Sequence, residues 1–204
     1  MIDFLAVFIT FFAVIDPIGT IPVFIAVTDQ YDAKTKRRVA LIATLVSACV
    51  LLFFLVVGEI VLTALSIPLS AFQISGGIVL FLFALNMIFG DSKPDEEIKL
   101  LEDSHKETAI FPLAVPSIAS PGAMLAAVLL TKNSVFTLWE QIQTAFVMLS
   151  VLVLVYVLML LAGFINRLVG SSGASVISRV MGLILSSVAT THILSGLSEY
   201  YELL

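Results

Sequence analysis

An aspartate-proline pair interrupts the first apolar run of this chain, in Asp16-Pro17-Ile18-Gly19-Thr20-Ile21-Pro22. Hydrocarbon penalises a carboxylate at the bilayer centre by roughly 2.5–3.5 kcal/mol on insertion scales. It also penalises the backbone groups that proline leaves unpaired. A chain that carries both costs at one place points to use of that place. A carboxylate there can hold a proton or the ammonium group of a solute. The plain alternative is a helix cap, worth roughly 1 kcal/mol, but asparagine or serine would cap without the charge. A second break of the same kind is Ser120-Pro121-Gly122-Ala123, with Pro116 four residues earlier and Ser117 next to it. In both breaks a polar residue stands directly before a proline, with glycine close behind. That is a good helix start, so each break can end one half-helix and begin another.

Other polar side chains in apolar runs are Asn86, Thr191 and His192. Asn86 and His192 read either as residues that join helices or as parts of a pathway. Ser187, Thr191 and Ser195 recur every four residues on one helix face, which favours close packing over a polar path. Glu59 falls near the end of a run and reads as a boundary residue. The single cysteine, Cys49, forms no internal disulfide and reads as a small residue in a helix interface. His105 has no histidine or cysteine near it in the sequence to share a metal ion. No metal or cofactor is expected.

Helices must position these residues. The 204-residue chain is 60% hydrophobic and 12% charged, with a mean hydropathy of +1.13. Soluble domains run nearer half apolar and a quarter charged. The apolar runs are continuous, without the alternation of a membrane β-barrel. The fold class is therefore an all-α membrane protein. Six spans are expected, at 3–28, 38–62, 70–90, 109–131, 139–163 and 177–198. Each is long enough to cross about 30 Å of hydrocarbon. The first reads as a transmembrane helix and not as a removed signal peptide, because no basic segment precedes it and no small-residue cleavage site follows.

Nine of the ten lysines and arginines fall between spans one and two, three and four, or five and six. Only Lys132 lies on the other side. The positive-inside rule makes the first side cytoplasmic, with both termini outside the cytoplasm. Trp139, Tyr200 and Tyr201 fall at the outer boundary and Tyr31 at the inner one, as interfacial aromatics do.

Three spans precede the acidic segment 91–108 and three follow it. The expected organisation is 1–90, a cytoplasmic linker 91–108, and 109–204. Pro94-Asp95-Glu96-Glu97 reads as a helix start within an otherwise solvated linker. An odd number of spans per half makes any internal repeat inverted, a common transporter construction. Spans one and four then correspond through their breaks. Spans three and six correspond through Gly76 and Gly90, and Gly182 and Gly196, each pair 14 residues apart. In an inverted pair, the second half of span one runs inward and that of span four outward. Two helix N-termini would meet near mid-membrane, each with unpaired N–H groups and about +0.5 of partial charge. Such ends attract a carboxylate. With Asp16 beside them to attract an ammonium group, the pair suits a zwitterion.

These residues resemble the MarC family of bacterial inner-membrane proteins, grouped with the LysE-like transporter superfamily. The resemblance covers essentially the whole chain. Asp16-Pro17-Ile18-Gly19 with Pro22 looks like the family's D-P-[IV]-G-x-x-P signature. Pro112-Leu113-Ala114-Val115-Pro116 through Pro121-Gly122-Ala123 looks like its P-L-A-x-P-x-x-x-G-P-G-A segment. Ile74-Ser75-Gly76-Gly77-Ile78 and Arg179-Val180-Met181-Gly182-Leu183 match further stretches. Ser120 departs from the pattern, which usually has glycine there. The resemblance implies transport of small neutral amino acids such as glycine, alanine or threonine.

The expected function is thus a secondary transporter of small neutral amino acids or related zwitterions, coupled to protons or sodium. Its expected pathway residues are Asp16, Pro17, Gly19, Pro22, Asn86, Pro116, Ser117, Ser120, Pro121, Gly122, Thr191 and His192. The alternative is a passive channel or a non-transporting membrane scaffold. An intramembrane enzyme ranks last, because aspartyl proteolysis needs two carboxylates at one site and only Asp16 is central. The P-loop pattern for nucleotide hydrolysis is absent from the sequence. The expected partners are a small solute and the lipid bilayer, with no nucleic acid. No oligomeric state follows from the sequence.

Overall fold

Proline and cap chemistry divide the apolar runs where the sequence says they should. The computed structural model describes residues 2–89, 109–133 and 135–202. Its elements are all helical: α1 (Phe4–Ile15), α2 (Thr20–Thr28), α3 (Ala33–Ala64), α4 (Leu69–Phe89), α5 (Ala109–Ile118), α6 (Pro121–Leu129) and α7 (Leu138–Glu202). The expected linker 91–108 and Gly90 lie outside the described residues. Asp3 caps α1 by accepting the Leu5 and Ala6 N–H groups. Asp32 caps α3 by accepting that of Thr35 at 3.2 Å. Thr137 and Glu140 form a capping box at the start of α7.

Among the described residues five helical stretches are long and apolar enough to cross a membrane, and the bent pair α5–α6 makes a sixth when counted as one span. The first and the bent one are broken. The two breaks differ. α1 and α2 together make one 25-residue span, whereas α6 bends 54° away from α5. The cause lies in the two prolines of α5. Phe111 and Val115, the residues before them, sit in extended conformations at φ −128°, ψ 132° and φ −132°, ψ 124°. A residue before proline is pushed out of the helical region in this way. α5 is consequently a wide-turned segment, and the Ala119 N–H reaches back to the Ala114 carbonyl at 2.8 Å.

A loop was expected between the fifth and sixth spans, but the backbone stays helical from Leu138 to Glu202. A straight helix of 65 residues would be about 98 Å long. Yet Lys132, just before α7, pairs with Glu199 near its end at 3.1 Å. α7 therefore turns back on itself, and its apolar stretches Leu138–Ile165 and Arg179–Tyr201 form separate spans.

Alanines share the interior with large side chains such as Phe11, Leu80 and Met148, and many other large residues face outward. Ala40, Ala43, Ala84, Ala114, Ala123 and Ala189 are fully buried, while Phe53, Phe89, Phe146 and Leu138 are exposed. Such exposure would drive aggregation in water. In lipid it is neutral, and small residues let helices approach closely. The tightest approach is between α4 and the last stretch of α7, which run antiparallel. Ser70, Gly77 and Ala84 on one side meet Gly196, Ala189 and Gly182 on the other, spaced by seven residues on both helices. A Cβ built on Gly182 would lie 2.9 Å from the Ala84 carbonyl oxygen, and one on Gly196 would lie 2.9 Å from that of Ser70. Backbone meets backbone there.

Cys49, expected in a helix interface, is exposed instead. The buried face of α3 runs through Val39, Ala40, Ala43, Ser47, Leu51 and Gly58. Two residues beyond Ser47, at about 100° per residue, Cys49 points to the opposite side.

Candidate functional site: a junction of two broken helices

At the first break one residue closes a helix and holds the turn before the next. Asp16 takes a left-handed conformation, φ 50° and ψ 68°, and its N–H donates to the Phe12 carbonyl. Aspartate tolerates this region better than most residues because its side chain bonds locally. Its Oδ1 accepts the Gly19 N–H at 2.9 Å. Its carbonyl accepts both the Thr20 N–H at 3.1 Å and the Thr20 hydroxyl at 3.0 Å. Asp16 was expected as the N-cap with Pro17 opening the helix. Instead Pro17 to Gly19 form a turn held by Asp16, and α2 begins at Thr20 with Gly19 as its N-cap and no side-chain cap bond. Gly19 is required here, since a Cβ would collide with the Asp16 carboxylate.

The second break follows the expected pattern closely. Ser120 is the N-cap of α6, extended at φ −70° and ψ 157°, with Pro121 in the first turn. Its Oγ accepts the Ala123 N–H at 3.1 Å. The same hydroxyl donates to the carbonyl of Val14 at 2.7 Å. Val14 lies in the last turn of α1, whose carbonyls lack intrahelical partners. One hydroxyl therefore caps α6 and ties the second break to the first.

α2 and α6 leave this junction in opposite directions. α2 ends beside the start of α3, since Thr28, Ala33 and Lys36 line one cavity. α6 ends beside the far end of α3, where Val128 packs on Gly58 and Thr131 donates to the Leu55 carbonyl at 3.1 Å. The N–H groups of Ile18, in the turn before α2, and of Gly122, in the first turn of α6, make no hydrogen bond among the described residues.

Asp16 is 5% exposed. Its Oδ2 accepts no hydrogen bond among the described residues, and no cation pairs with it there. Ser47 was not anticipated. Its hydroxyl lies 2.8 Å from the Ala43 carbonyl and 3.2 Å from that of Ala114, so α3 holds α5 just before its second kink. A fully buried serine in an apolar helix was the available signal. Two further buried hydroxyls, Ser70 Oγ and Thr144 Oγ1, have no hydrogen-bond partner among the described residues.

The Ser120–Val14 bond sets the break at Asp16, Pro17 and Gly19 beside the break at Ser120, Pro121 and Gly122, and among the described residues no other hydrogen bond joins the two. Pro22, Pro116 and Ser117 are half-buried in the adjoining segments. Asn86 and Thr191 lie on exposed helix faces, and His192 is half-buried. None of these three shares a hydrogen bond with the junction among the described residues, and the Thr191 hydroxyl donates to the Ser187 carbonyl at 3.0 Å. Glu59 ties an end of the bundle, accepting the Asn133 N–H at 2.7 Å.

Substitutions at Ser120 should separate its two bonds. Ser120→Ala loses the cap, about 1 kcal/mol, and strands the Ala123 N–H and Val14 carbonyl, about 1–3 kcal/mol for buried groups. Ser120→Gly keeps most of the cap and loses the tie to Val14. Melting temperature in detergent should fall in the order parent, Ser120→Gly, Ser120→Ala, and solute preference should change most in Ser120→Gly.

Comparison with known sequences places these features in a family. A family model described as "MarC family integral membrane protein" matches residues 1–201. A membrane protein of Buchnera aphidicola subsp. Schizaphis graminum is 32% identical over 189 residues, covering 93% of each chain. The Bacillus subtilis membrane protein YvbG is 31% identical over 204 residues, covering 97% of this chain and 95% of its own. A membrane protein of Methanocaldococcus jannaschii is 31% identical over 196 residues, covering 95% of each. No solved structure matches.

Proposed function

Because the chain belongs to the MarC family of integral membrane proteins, we propose that it is a secondary transporter of small neutral amino acids or related zwitterions, coupled to protons or sodium. The observation that carries this reading is the Asp16 carboxylate. It is almost fully buried, one oxygen accepts the Gly19 N–H in the turn before α2, and the other meets no donor or cation among the described residues. Burying a carboxylate without a counter-charge is costly. A proton, a sodium ion or a solute ammonium group would relieve that cost. The N–H groups of Ile18, in the turn before α2, and of Gly122, in the first turn of α6, would meet the solute carboxylate. Both halves of a zwitterion then have complementary groups at one junction.

The halves 1–90 and 109–204 act in this reading as inverted repeats around the junction, with alternating access to it. The basic ends of the helices face the cytoplasm of a bacterial inner membrane, and both termini face away from it. Asp16 is the one carboxylate at the junction among the described residues, which disfavours the acid–base pair of an intramembrane protease.

Proteoliposomes test this directly. Flux of glycine, alanine, serine and threonine should be saturable, mutually competitive and driven by an imposed proton or sodium gradient. Flux that rises linearly with concentration and ignores gradients would mean a passive channel. No flux of any zwitterion would leave the scaffold reading.

A further inference from the structure

The transport reading requires a route from one end of the bundle to the junction, and α2 supplies one. A cavity of about 400 Å³ lies between α2, the first turns of α3 and residues 159–163 of α7. That volume lies within the range of small-ligand pockets. Its lining carries charges of both signs, Asp29, Lys36 and Arg37. Its inner wall includes Phe24 and Met159, which are 4% and 2% exposed.

Thr20, Phe24 and Thr28 succeed one another at four-residue intervals, so they share one face of α2, and all three are buried. Thr20 donates to the Asp16 carbonyl at the junction. Thr28 lines the cavity. Phe24 stands between them, about 6 Å along the helix axis from each. The apolar wall is therefore one helical turn thick at this face.

Resting on the transport reading, we propose that this cavity is the entry vestibule for a small zwitterion. Asp29 and the Lys36–Arg37 pair orient the solute within it, and Phe24 with Met159 forms the barrier between it and the Asp16–Ser120 junction. Bulk at positions 24 and 159 closes the route, and movement of α2 relative to α7 opens it.

Cysteine accessibility tests the barrier without knowledge of the solute. Cys49 is the only native cysteine, so Cys49→Ala gives a clean background. Gly163→Cys reports on the vestibule, because a Cβ there meets nothing within 4 Å. Thr20→Cys reports on the far side of the barrier. A charged, membrane-impermeant methanethiosulfonate is added to inside-out and right-side-out vesicles. Gly163→Cys should be modified rapidly in inside-out vesicles only. Thr20→Cys should be protected, and should become reactive from that same side when combined with Phe24→Ala or, independently, with Met159→Ala. Monodisperse elution in detergent establishes that each variant is folded, and Phe24→Leu replaces Phe24→Ala if the latter is not. Continued protection of Thr20→Cys in folded barrier variants would overturn the proposal. So would modification of Gly163→Cys from the opposite side only. Glycine added at saturating concentration should slow Gly163→Cys modification. Gating without that protection would retain the barrier and overturn the zwitterion assignment, whereas protection without gating would do the reverse.

Discussion

Asp16→Asn inserts and folds like the parent protein but loses zwitterion transport. Asparagine keeps the oxygen that accepts the Gly19 N–H, and it also tolerates the left-handed backbone. The turn therefore survives, and stability should change by less than about 1 kcal/mol. What disappears is the charge. Removing one partner of a buried ion pair costs about 3–5 kcal/mol, or roughly two to three and a half orders of magnitude in affinity. Zwitterion flux at low concentration should fall by about that factor, and any residual flux should no longer respond to a proton gradient. Asp16→Ala, which also loses the bond to Gly19, should be less stable by about 1 kcal/mol. Melting curves and initial rates measured on the same preparations separate the two effects. Parental, gradient-driven flux in Asp16→Asn would reduce Asp16 to a structural role.

Gly182→Leu should be the most destabilising change in the bundle. A Cβ at position 182 would stand 2.9 Å from the Ala84 carbonyl oxygen and 2.8 Å from Ile88 Cγ1. An isoleucine tip can move, but a backbone carbonyl inside a helix cannot move alone. α4 and the last stretch of α7 must then separate, which also loosens the contacts at Gly77 and Gly196. Overpacking costs typically about 1–3 kcal/mol, and Gly182→Ala should already show a cost in that range. Leucine, with three more carbons in the same gap, should exceed it. Gly163→Ala is the control, since its Cβ meets nothing within 4 Å. Helix propensity alone should make that variant neutral or more stable by up to about 1 kcal/mol. Unfolding in increasing dodecyl sulfate ranks all three. Equal midpoints for Gly182→Leu and Gly163→Ala would show that the seam does not carry the packing inferred from its geometry.

Much of the junction was legible in the sequence because its causes are local. Asp16-Pro17 and Ser120-Pro121 announce helix starts by chemistry that acts within four residues. The tie between them was not legible. Ser120 and Val14 are 106 residues apart, and a backbone acceptor leaves no mark on residue type. Nor was the difference in bend between the breaks anticipated. It arises upstream, where Pro112 and Pro116 push Phe111 and Val115 out of the helix. The misreading of Cys49 has a general cause. In water an apolar run shows its buried side by periodicity, but lipid lets the outward side be equally apolar. The seam shows the same limit. Its glycines were visible, but their partners were not, and Gly76 proves to pack on Leu125 while Gly77 faces Ile193.

The account stands on the claim that Asp16 receives the cationic end of a bound solute at the junction. The most direct measurement is the melting temperature of purified protein titrated with glycine, alanine and threonine, for the parent and Asp16→Asn together. Binding to the folded state raises that temperature by mass action. The account predicts a saturable rise in the parent for at least one of these solutes and none in Asp16→Asn. A rise of the same size and midpoint in both proteins would contradict it.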